Sequence, residues 1–225
     1  MNLTTGIATH DAPLVPGGTR PVTELTGTVV IGCGLSGLAV ATELSRQGVD
    51  SVVVHGPVQD ADALREAAVE PEVFPERVEL LRLLQAYMSG HRLDVREGSE
   101  AQDLIPASAA GLLPVPALGG KWAVRTGREL LLADHVVLTS CSRSDLRRIT
   151  RAAGVGTGPA AEAALRGMGV YLVGVGVNLL PTLRGLLRQA RAAGEAIAET
   201  TPPAAPTPAV QAFSPRGAAG APQGQ

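Results

Sequence analysis

The sequence predicts an α/β fold: a mostly parallel sheet with helices on both faces and a small antiparallel hairpin near residues 121–132. Short apolar runs suit strands that are buried on both sides of a parallel sheet. Glycine-containing turns separate these runs from amphipathic segments with the spacing of helices. Hydrophobic residues make up 45% of the 225 residues but aromatic residues only 2%, so Val, Leu and Ala must form the core.

The unit that best defines this fold occupies residues 28–56. An apolar run, Val29–Ile31, predicts one buried strand, and Val52–Val54 predicts another. The segment between them predicts a helix that stops at Gly48. The apolar face of this helix comprises Leu38, Ala41 and Leu44. We therefore predict a strand, a helix and a second strand that is parallel to the first.

Three glycines follow the first strand at the spacing G-x-G-x-x-G, namely Gly32, Gly34 and Gly37. We expect the first to allow a sharp turn, the second to let a pyrophosphate approach the backbone, and the third to let the helix pack closely on the strand. The N–H groups near Leu35 and Ser36 would then face the anion, and the helix dipole would favour it. The motif in this context predicts a nucleotide ligand. A packing turn without a ligand is the alternative.

The end of the second strand departs from the dinucleotide-binding pattern. An Asp or Glu usually stands there and accepts hydrogen bonds from the ribose hydroxyls, but this chain has His55. A neutral imidazole can make one such bond and lacks the paired acceptors of a carboxylate. Two interpretations stay open, because His55 either contacts the ribose or simply meets solvent at the strand end. Both predict a weakened site.

The remaining elements are predicted in chain order. Residues 1–26 read as an irregular arm and residues 201–225 as a disordered Pro/Ala/Gly tail, which leaves one compact domain at 27–200. Further helices are predicted at 60–69, 76–88 and 144–152 and from Pro181 onward, and further strands at 93–95, 98–104, 121–126, 129–132, 135–139 and 169–173. The last helix is expected to bury Leu183, Leu187, Ala190 and Ile197. Residues 105–120 are expected to form a connector.

Charge and composition exclude several classes of function. The net charge of −2 provides no basic field for nucleic acid or an anionic membrane surface. The N-terminus lacks the pattern of a signal peptide, and no run of about 18 apolar residues could span a membrane. Two cysteines, Cys33 and Cys141, form no C-x-x-C pair, which favours a reducing cytoplasm and structural roles for both. The four histidines have no metal-ligand spacing, so no metal site is predicted.

Four stretches of the chain together resemble FAD-dependent oxidoreductases with two dinucleotide-binding domains, and above all bacterial flavin-dependent monooxygenases. They cover roughly half of the chain and occur in the family's order. The stretches are VVIGCGLSGLAVATELSRQGVDSVVVHG, FPERVELLRLLQAYMSGHRLDVREGSE, WAVRTGRELLLADHVVLTSC and GVYLVGVGVNLLPTLRGLLRQARAAGEAIAE. The resemblance implies a Rossmann-like FAD/NAD(P)-binding fold and FAD as the cofactor.

The resemblance also implies which residues contact the FAD. The pyrophosphate would lie on Gly32, Gly34, Leu35, Ser36 and Gly37. His55 would lie by the adenine ribose, Ala101 by the adenine, Thr139, Ser140 and Cys141 along the cofactor, and Gly174 and Val175 near the flavin. In this family Thr-Gly is usual where the chain has Ser140 and Cys141, and many relatives have Asp at the position of Val175. No catalytic residue is assigned.

The sequence contains no second G-x-G-x-x-G, so the NADPH domain of such enzymes is expected to be missing. We therefore predict a monooxygenase-like FAD-dependent oxidoreductase that acts on a small molecule. Its electrons would come from a free reductant, a reductase partner or loosely bound NADPH. A non-catalytic dinucleotide-binding remnant or binding module is the first alternative, favoured by His55 and Val175. A single-domain NAD(P)-binding dehydrogenase is the second, although no Tyr-x-x-x-Lys pair supports it.

Overall fold

The computed structural model of the chain describes residues 22–57, 75–108, 121–139, 141–156, 160–175 and 182–201. The strands in these ranges are β1 (Val22–Ile31), β2 (Ser51–His55), β3 (Asp94–Pro106), β4 (Trp122–Thr126), β5 (Glu129–Leu138) and β6 (Val170–Leu172). The helices are α1 (Leu35–Arg46), α2 (Pro75–His91), α3 (Arg143–Ala152), α4 (Ala161–Gly167) and α5 (Leu183–Thr200). The protein is therefore an α/β protein, as predicted.

Five of these strands form a parallel sheet in the order β3-β2-β1-β5-β6. The chain moves from β1 to one side through β2 and β3, and β5 and β6 then lie on the other side of β1. The strand order thus reverses between β1 and β5. In open α/β sheets such a reversal leaves a crevice at the carboxyl ends of the strands, and ligands bind there. By this rule the ligand crevice of this protein is expected beyond Ile31 and Leu138, which are register partners.

The hairpin predicted near residues 121–132 is present, but it belongs to a larger antiparallel unit. β4 pairs with β5 on one side and with β3 on the other. Within the parallel sheet, β3 also pairs with β2 and β5 also pairs with β1. The strands β1 to β5 therefore close into a ring and do not form a simple open sheet. The predicted strands 129–132 and 135–139 are one continuous strand, β5. Asp134 interrupts the apolar run in the sequence, but backbone pairing with β1 on both sides of it keeps the strand intact.

The expectation of an irregular arm up to residue 26 is wrong for residues 22–26. They form the first half of β1 and pair with residues 129–133 of β5. The side chains of this segment do not show the pattern of a buried strand, because Val22 is 69% exposed and Leu25 is 44% exposed. Backbone hydrogen bonds to a strand distant in sequence hold the segment, and no local apolar pattern could predict them.

Helices cover both faces of the parallel sheet, as predicted. On one face α1, α2 and α5 pack over Val30, Val53 and Val137. On the other face the antiparallel strands, together with Ile149 of α3 and Leu165 of α4, cover a second cluster. The core lies on both sides of the parallel strands, and their central residues are therefore apolar on both faces.

The buried face of α5 differs from the prediction at Leu183, which is half-buried, and at Leu187. Ala190 and Ile197 are buried as expected, but Leu187 is 40% exposed and Leu186 is buried in its place. Successive residues of a helix are about 100° apart, so one step moves a side chain off the core face. In α1 the predicted face is correct, since Leu38, Ala41 and Leu44 are all buried.

Several predicted segments fall partly or wholly outside the described residues. These are the arm up to residue 21, the helix at 60–69, most of the connector and the tail beyond residue 201. The connector begins later than predicted, because Ile105 and Pro106 still belong to β3. Helix α4 had no counterpart among the predicted elements.

One arginine of β3 links this strand to two strands with which it does not pair. Arg96 of β3 contacts Glu24 of β1 at 2.6 Å and Glu129 of β5 at 2.6 Å, and it also contacts Asp94 at 2.9 Å. Its side chain is 19% exposed. The hydrogen bond from Arg96 lowers the pKa of Glu24. This network therefore ties β3 across the ring to β1 and β5.

We expect Arg96→Met to lower the free energy of unfolding by about 2 kcal/mol, because three carboxylates lose their common cation. Urea denaturation at pH 7 measures this change. Because the pKa of Glu24 is lowered, the stabilisation that its ionised carboxylate provides is fully present above pH 4.5, the ordinary pKa. It is lost as the pH falls through the lowered pKa of the folded protein. The difference between the variant and the parent protein should therefore shrink in acid.

Arg148→Met is the matched control for this experiment. The Arg148 side chain is 54% exposed and contacts Asp103 and Asp145 only at 3.6 and 3.5 Å. Exposed pairs of this kind contribute less than about 1 kcal/mol. Equal losses in the two variants would show that the Arg96 network does not tie the ring together.

Candidate functional site

The glycine turn lies at the carboxyl end of β1, beside the point where the strand order reverses. Gly32 has a φ of 121°, which residues other than glycine rarely adopt. Its N–H donates to the carbonyl of Val54 at the end of β2, at 2.8 Å. The chain thus leaves the sheet sharply at Gly32, as predicted, and stays attached to the neighbouring strand.

Thr139, just beyond β5, closes this turn from the other side. Its N–H donates to the carbonyl of Ile31 at 2.9 Å, and its hydroxyl donates to the same carbonyl at 3.0 Å. The hydroxyl also lies 3.4 Å from the carbonyl oxygen of Gly32. Thr139 is buried. Its polar atoms therefore support the turn from within the protein.

Glycine at position 37 lets α1 approach the end of β1 more closely than any residue with a Cβ atom would allow. A Cβ atom at this position would lie 1.7 Å from the carbonyl oxygen of Gly32 and 3.2 Å from Oγ1 of Thr139. Real Cβ atoms do not approach a carbonyl oxygen so closely. The predicted role of Gly37 in helix–strand packing is confirmed.

The N-terminus of α1 has no side-chain cap among the described residues. Gly34 is the N-cap residue, no side chain in the described ranges accepts a hydrogen bond from the first turn, and that turn contains no acidic residue. By contrast, Ser142 and Asp145 form a capping box on α3. Gly34 is exposed, and its φ of −76° and ψ of −172° are open to any residue. Its missing side chain therefore matters for the space in front of the helix and not for the backbone conformation.

The segment after β6 meets the first turn of α1. A Cβ atom on Gly174 would lie 2.7 Å from Oγ of Ser36, and the φ of Gly174 is 71°. The N–H of Gly174 donates to Oε1 of Gln189 in α5 at 3.0 Å. Val175 follows directly. The structure thus brings Ser36, Gly174 and Val175 to the same edge of the sheet as the glycine turn.

The other predicted site residues lie around this edge in different environments. His55 ends β2 with its side chain exposed, and its register partner on β3 is Glu100. Ala101 is buried in β3, so only its backbone could meet a ligand. Cys141 is half-buried and packs against the second core cluster. Ser140 lies outside the described residues.

Both thiols are held in the protonated state. Burial raises the pKa of Cys141 to about 12. Burial, with a smaller contribution from the charge of Glu97, raises the pKa of Cys33 to about 11. A thiol reacts as a nucleophile only after it loses its proton. These environments support the structural roles predicted for both cysteines.

The arrangement fits the pyrophosphate of a dinucleotide and lacks one familiar group for its ribose. The N–H groups of the first turn of α1 carry the positive end of the helix dipole, and the exposed Gly34 adds no side chain in front of them. The end of β2 provides an imidazole where a carboxylate is usual. Among the described residues, no three His, Cys, Asp or Glu side chains are grouped to hold a metal ion. Within the same residues, no helix is long and apolar enough to cross a membrane.

Sequence reasoning missed Gln189, which holds the N–H of Gly174. Gln189 lies on the exposed part of α5, and nothing in its sequence context predicts a contact with a residue that precedes it by 15 positions. Such a contact depends on how α5 packs beside α1. It could not be found from helical periodicity alone.

No family model matches the sequence, and no curated protein matches it. Among solved structures, T. acidophilum thioredoxin reductase is 20% identical over 52% of this chain and 35% of its own, with a TM-score of 0.38. A flavin monooxygenase from Stenotrophomonas maltophilia is 18% identical over 52% of this chain and 38% of its own, with a TM-score of 0.33. The p-nitrophenol 4-monooxygenase of Pseudomonas putida is 15% identical over 57% of this chain and 43% of its own, with a TM-score of 0.37. The chain spans less than half the length of each of these structures.

We expect Gly37→Ala to destabilise the protein by about 3 kcal/mol or more, because the added methyl group would push α1 away from the carbonyl of Gly32. Chemical denaturation measures the loss. Gly90→Ala in α2 is the control, since a Cβ atom there meets nothing within 4 Å. The control should stabilise the protein by roughly 0.5 kcal/mol. A tolerated Gly37→Ala would contradict the close approach.

We expect both thiols to react at pH 8 with an alkylating reagent at least about tenfold more slowly than free cysteine, because their raised pKa values leave little thiolate. Mass spectrometry of Cys33→Ala and Cys141→Ala assigns the rate of the remaining thiol in each variant. The rates should rise steeply above pH 9. Rapid modification of either thiol at pH 8 would contradict its structural role.

Proposed function

We propose that the chain binds FAD and serves as a flavin-dependent oxidoreductase, monooxygenase-like, that acts on a small molecule. One observation carries the proposal. The uncapped N-terminus of α1 opens beside the strand-order reversal, behind a glycine turn that only glycine can form at Gly32 and Gly37. Unpaired N–H groups and a helix dipole at such a crevice favour a phosphate-bearing ligand. The resemblance of four ordered sequence segments to FAD-dependent oxidoreductases then selects FAD among the dinucleotides.

In this proposal different residues at the crevice contact different parts of FAD. The backbone of Gly32, Gly34, Leu35, Ser36 and Gly37 holds the pyrophosphate. The contact between Gly174 and Ser36 supports a path in which the flavin end continues past the segment after β6. Thr139 acts as a positioning residue, because its hydroxyl is already bonded to the backbone of the turn.

Bound FAD would supply the redox chemistry, while the protein would bind and orient it and control access to it. Because the sequence has no second G-x-G-x-x-G, the electrons would come from an external source: a free reductant, a reductase partner or loosely bound NADPH. Neither cysteine is suited to relay electrons as a thiolate at neutral pH. The chain's own contribution is therefore the cofactor site.

A non-catalytic nucleotide-binding module is the second candidate. The exposed imidazole of His55 favours it, because a site without the ribose carboxylate of β2 would hold its dinucleotide less tightly. In that case the fold and the pyrophosphate site would persist without turnover. Binding and turnover must therefore be measured separately.

The visible absorption spectrum of the purified protein, and a titration of the flavin-free protein with FAD, test the proposal. We expect Gly34→Asp to lower the affinity for FAD at least about tenfold, because a carboxylate would occupy and repel the phosphate position. The same carboxylate should cap α1 and raise the free energy of unfolding by a few tenths of a kcal/mol. Lost affinity combined with retained or increased stability distinguishes a blocked site from a damaged fold.

Ala160→Asp is the control for this variant. Ala160 is the N-cap of α4, so the substitution adds the same charge at the N-terminus of another helix, although its φ of −79° and ψ of −11° do not favour the cap that is expected at Gly34. FAD affinity should stay unchanged. A protein that FAD cannot reconstitute would overturn the flavin proposal, and titration with NAD would then follow. FAD binding without oxygen or NADPH consumption, with or without an added reductase, would favour the binding module.

A further inference from the structure

The pairing of β2 with β3 breaks at the edge of the candidate site. The two strands run in register as far as Val54 and Arg96, and the next pair along β2 joins His55 to Glu100. Without the break, the partner of His55 would be Glu97. Residues 97–99 therefore bulge out of the ladder, and Gly98 within the bulge has a φ of 79°. Bulges of this kind re-aim side chains next to functional sites.

The register before the break places the backbone of Glu97 beside the end of β2. Val95 packs against the core cluster beneath α1, and Arg96 meets Glu24 and Glu129 on the opposite face. Arg96 pairs with Val54, and Glu97 follows it directly, at the point where the ladder between β2 and β3 opens. The side chain of Glu97 is exposed there.

The residue before Glu97 is linked to the glycine turn through β2, because Val54, the register partner of Arg96, accepts a hydrogen bond from the N–H of Gly32 at 2.8 Å. Cys33, between Gly32 and Gly34, packs against the same core cluster beneath α1. The negative charge of Glu97 contributes to the raised pKa of that thiol. A carboxylate on β3 thus reaches the region where the first strand, the turn and the end of β2 meet.

We propose that Glu97 supplies the carboxylate that β2 lacks and accepts hydrogen bonds from the hydroxyl groups of the adenine ribose. The inference rests on the proposed function, because it requires a nucleotide on the glycine turn. A carboxylate can accept from both ribose hydroxyls, whereas His55 can make one such bond. The bulge in β3 is the structural device that moves this role from one strand to its neighbour.

The direction in which affinity changes when Glu97 is neutralised distinguishes two roles for its carboxylate. An anionic nucleotide is repelled by any nearby carboxylate, so removal of a carboxylate that only adds to the field would tighten binding. Removal of a carboxylate that accepts hydrogen bonds from the ribose would weaken binding instead. The direction of the change therefore separates a ligand contact from a general charge effect.

The experiment is an isothermal titration of the full chain, freed of bound nucleotide, with ADP and with 2′-deoxy-ADP. These probes contain the pyrophosphate and the adenosine common to FAD and NAD, and they differ by one ribose hydroxyl. We expect Glu97→Gln to weaken ADP binding roughly tenfold and to change 2′-deoxy-ADP binding much less. Glu100→Gln, which removes the same charge at the residue where the ladder resumes after the bulge, should leave ADP binding unchanged or tighten it.

Unfolding curves of the three proteins check that each variant keeps its fold. If the parent chain binds neither ADP nor FAD, the proposed function fails and the inference fails with it. If the parent binds ADP and Glu97→Gln binds it equally or more tightly, the inference alone is overturned. Equal weakening by Glu97→Gln and Glu100→Gln, or equal weakening toward both probes, would also overturn it.

Discussion

The close approach of α1 to the end of β1 is the constraint on which the rest of the structure depends. The carbonyl oxygen of Gly32 occupies the space that a Cβ atom of Gly37 would need. Thr139 fixes the same turn through the carbonyl of Ile31. This contact aims the N-terminus of α1 at the crevice between β1 and β5, and it also seats the apolar face of α1 on the sheet. Packing and the candidate site therefore depend on the same few atoms.

The ring of strands β1 to β5 is the scaffold that carries this crevice at the carboxyl ends of β1 and β5. β3 and β5 each take part in the parallel sheet and in the antiparallel unit, so the second core cluster is enclosed between the two. The ion pairs of Arg96 cross the ring from β3 to strands that it does not pair with. A rigid scaffold of this kind can hold the turn, the end of β2 and the bulge of β3 in fixed relation. This matters because the proposed ligand contacts come from all three.

The proposed site combines an ordinary anion-binding arrangement with an unusual source for one of its groups. In this proposal the helix N–H groups, with no side chain at Gly34, would attract an anion through the electrostatics of a helix end. The usual ribose carboxylate is absent from β2, while an exposed carboxylate stands on the neighbouring strand. The ribose requires a hydrogen-bond acceptor at the right position. That acceptor can come from β3 as well as from β2.

The sequence by itself determined the local elements and their order. Apolar runs and helical periodicity predicted β1, α1 and β2, and the glycine spacing predicted the turn, because these signals come from residues close together in the chain. Only the tertiary structure decided that residues 22–26 are a strand, that Leu186 and not Leu187 faces the core, and that the ladder between β2 and β3 breaks after Val54. Strand pairing, the exact rotation of a helix and the register after a bulge depend on contacts between distant residues. No pattern along a single chain records those contacts.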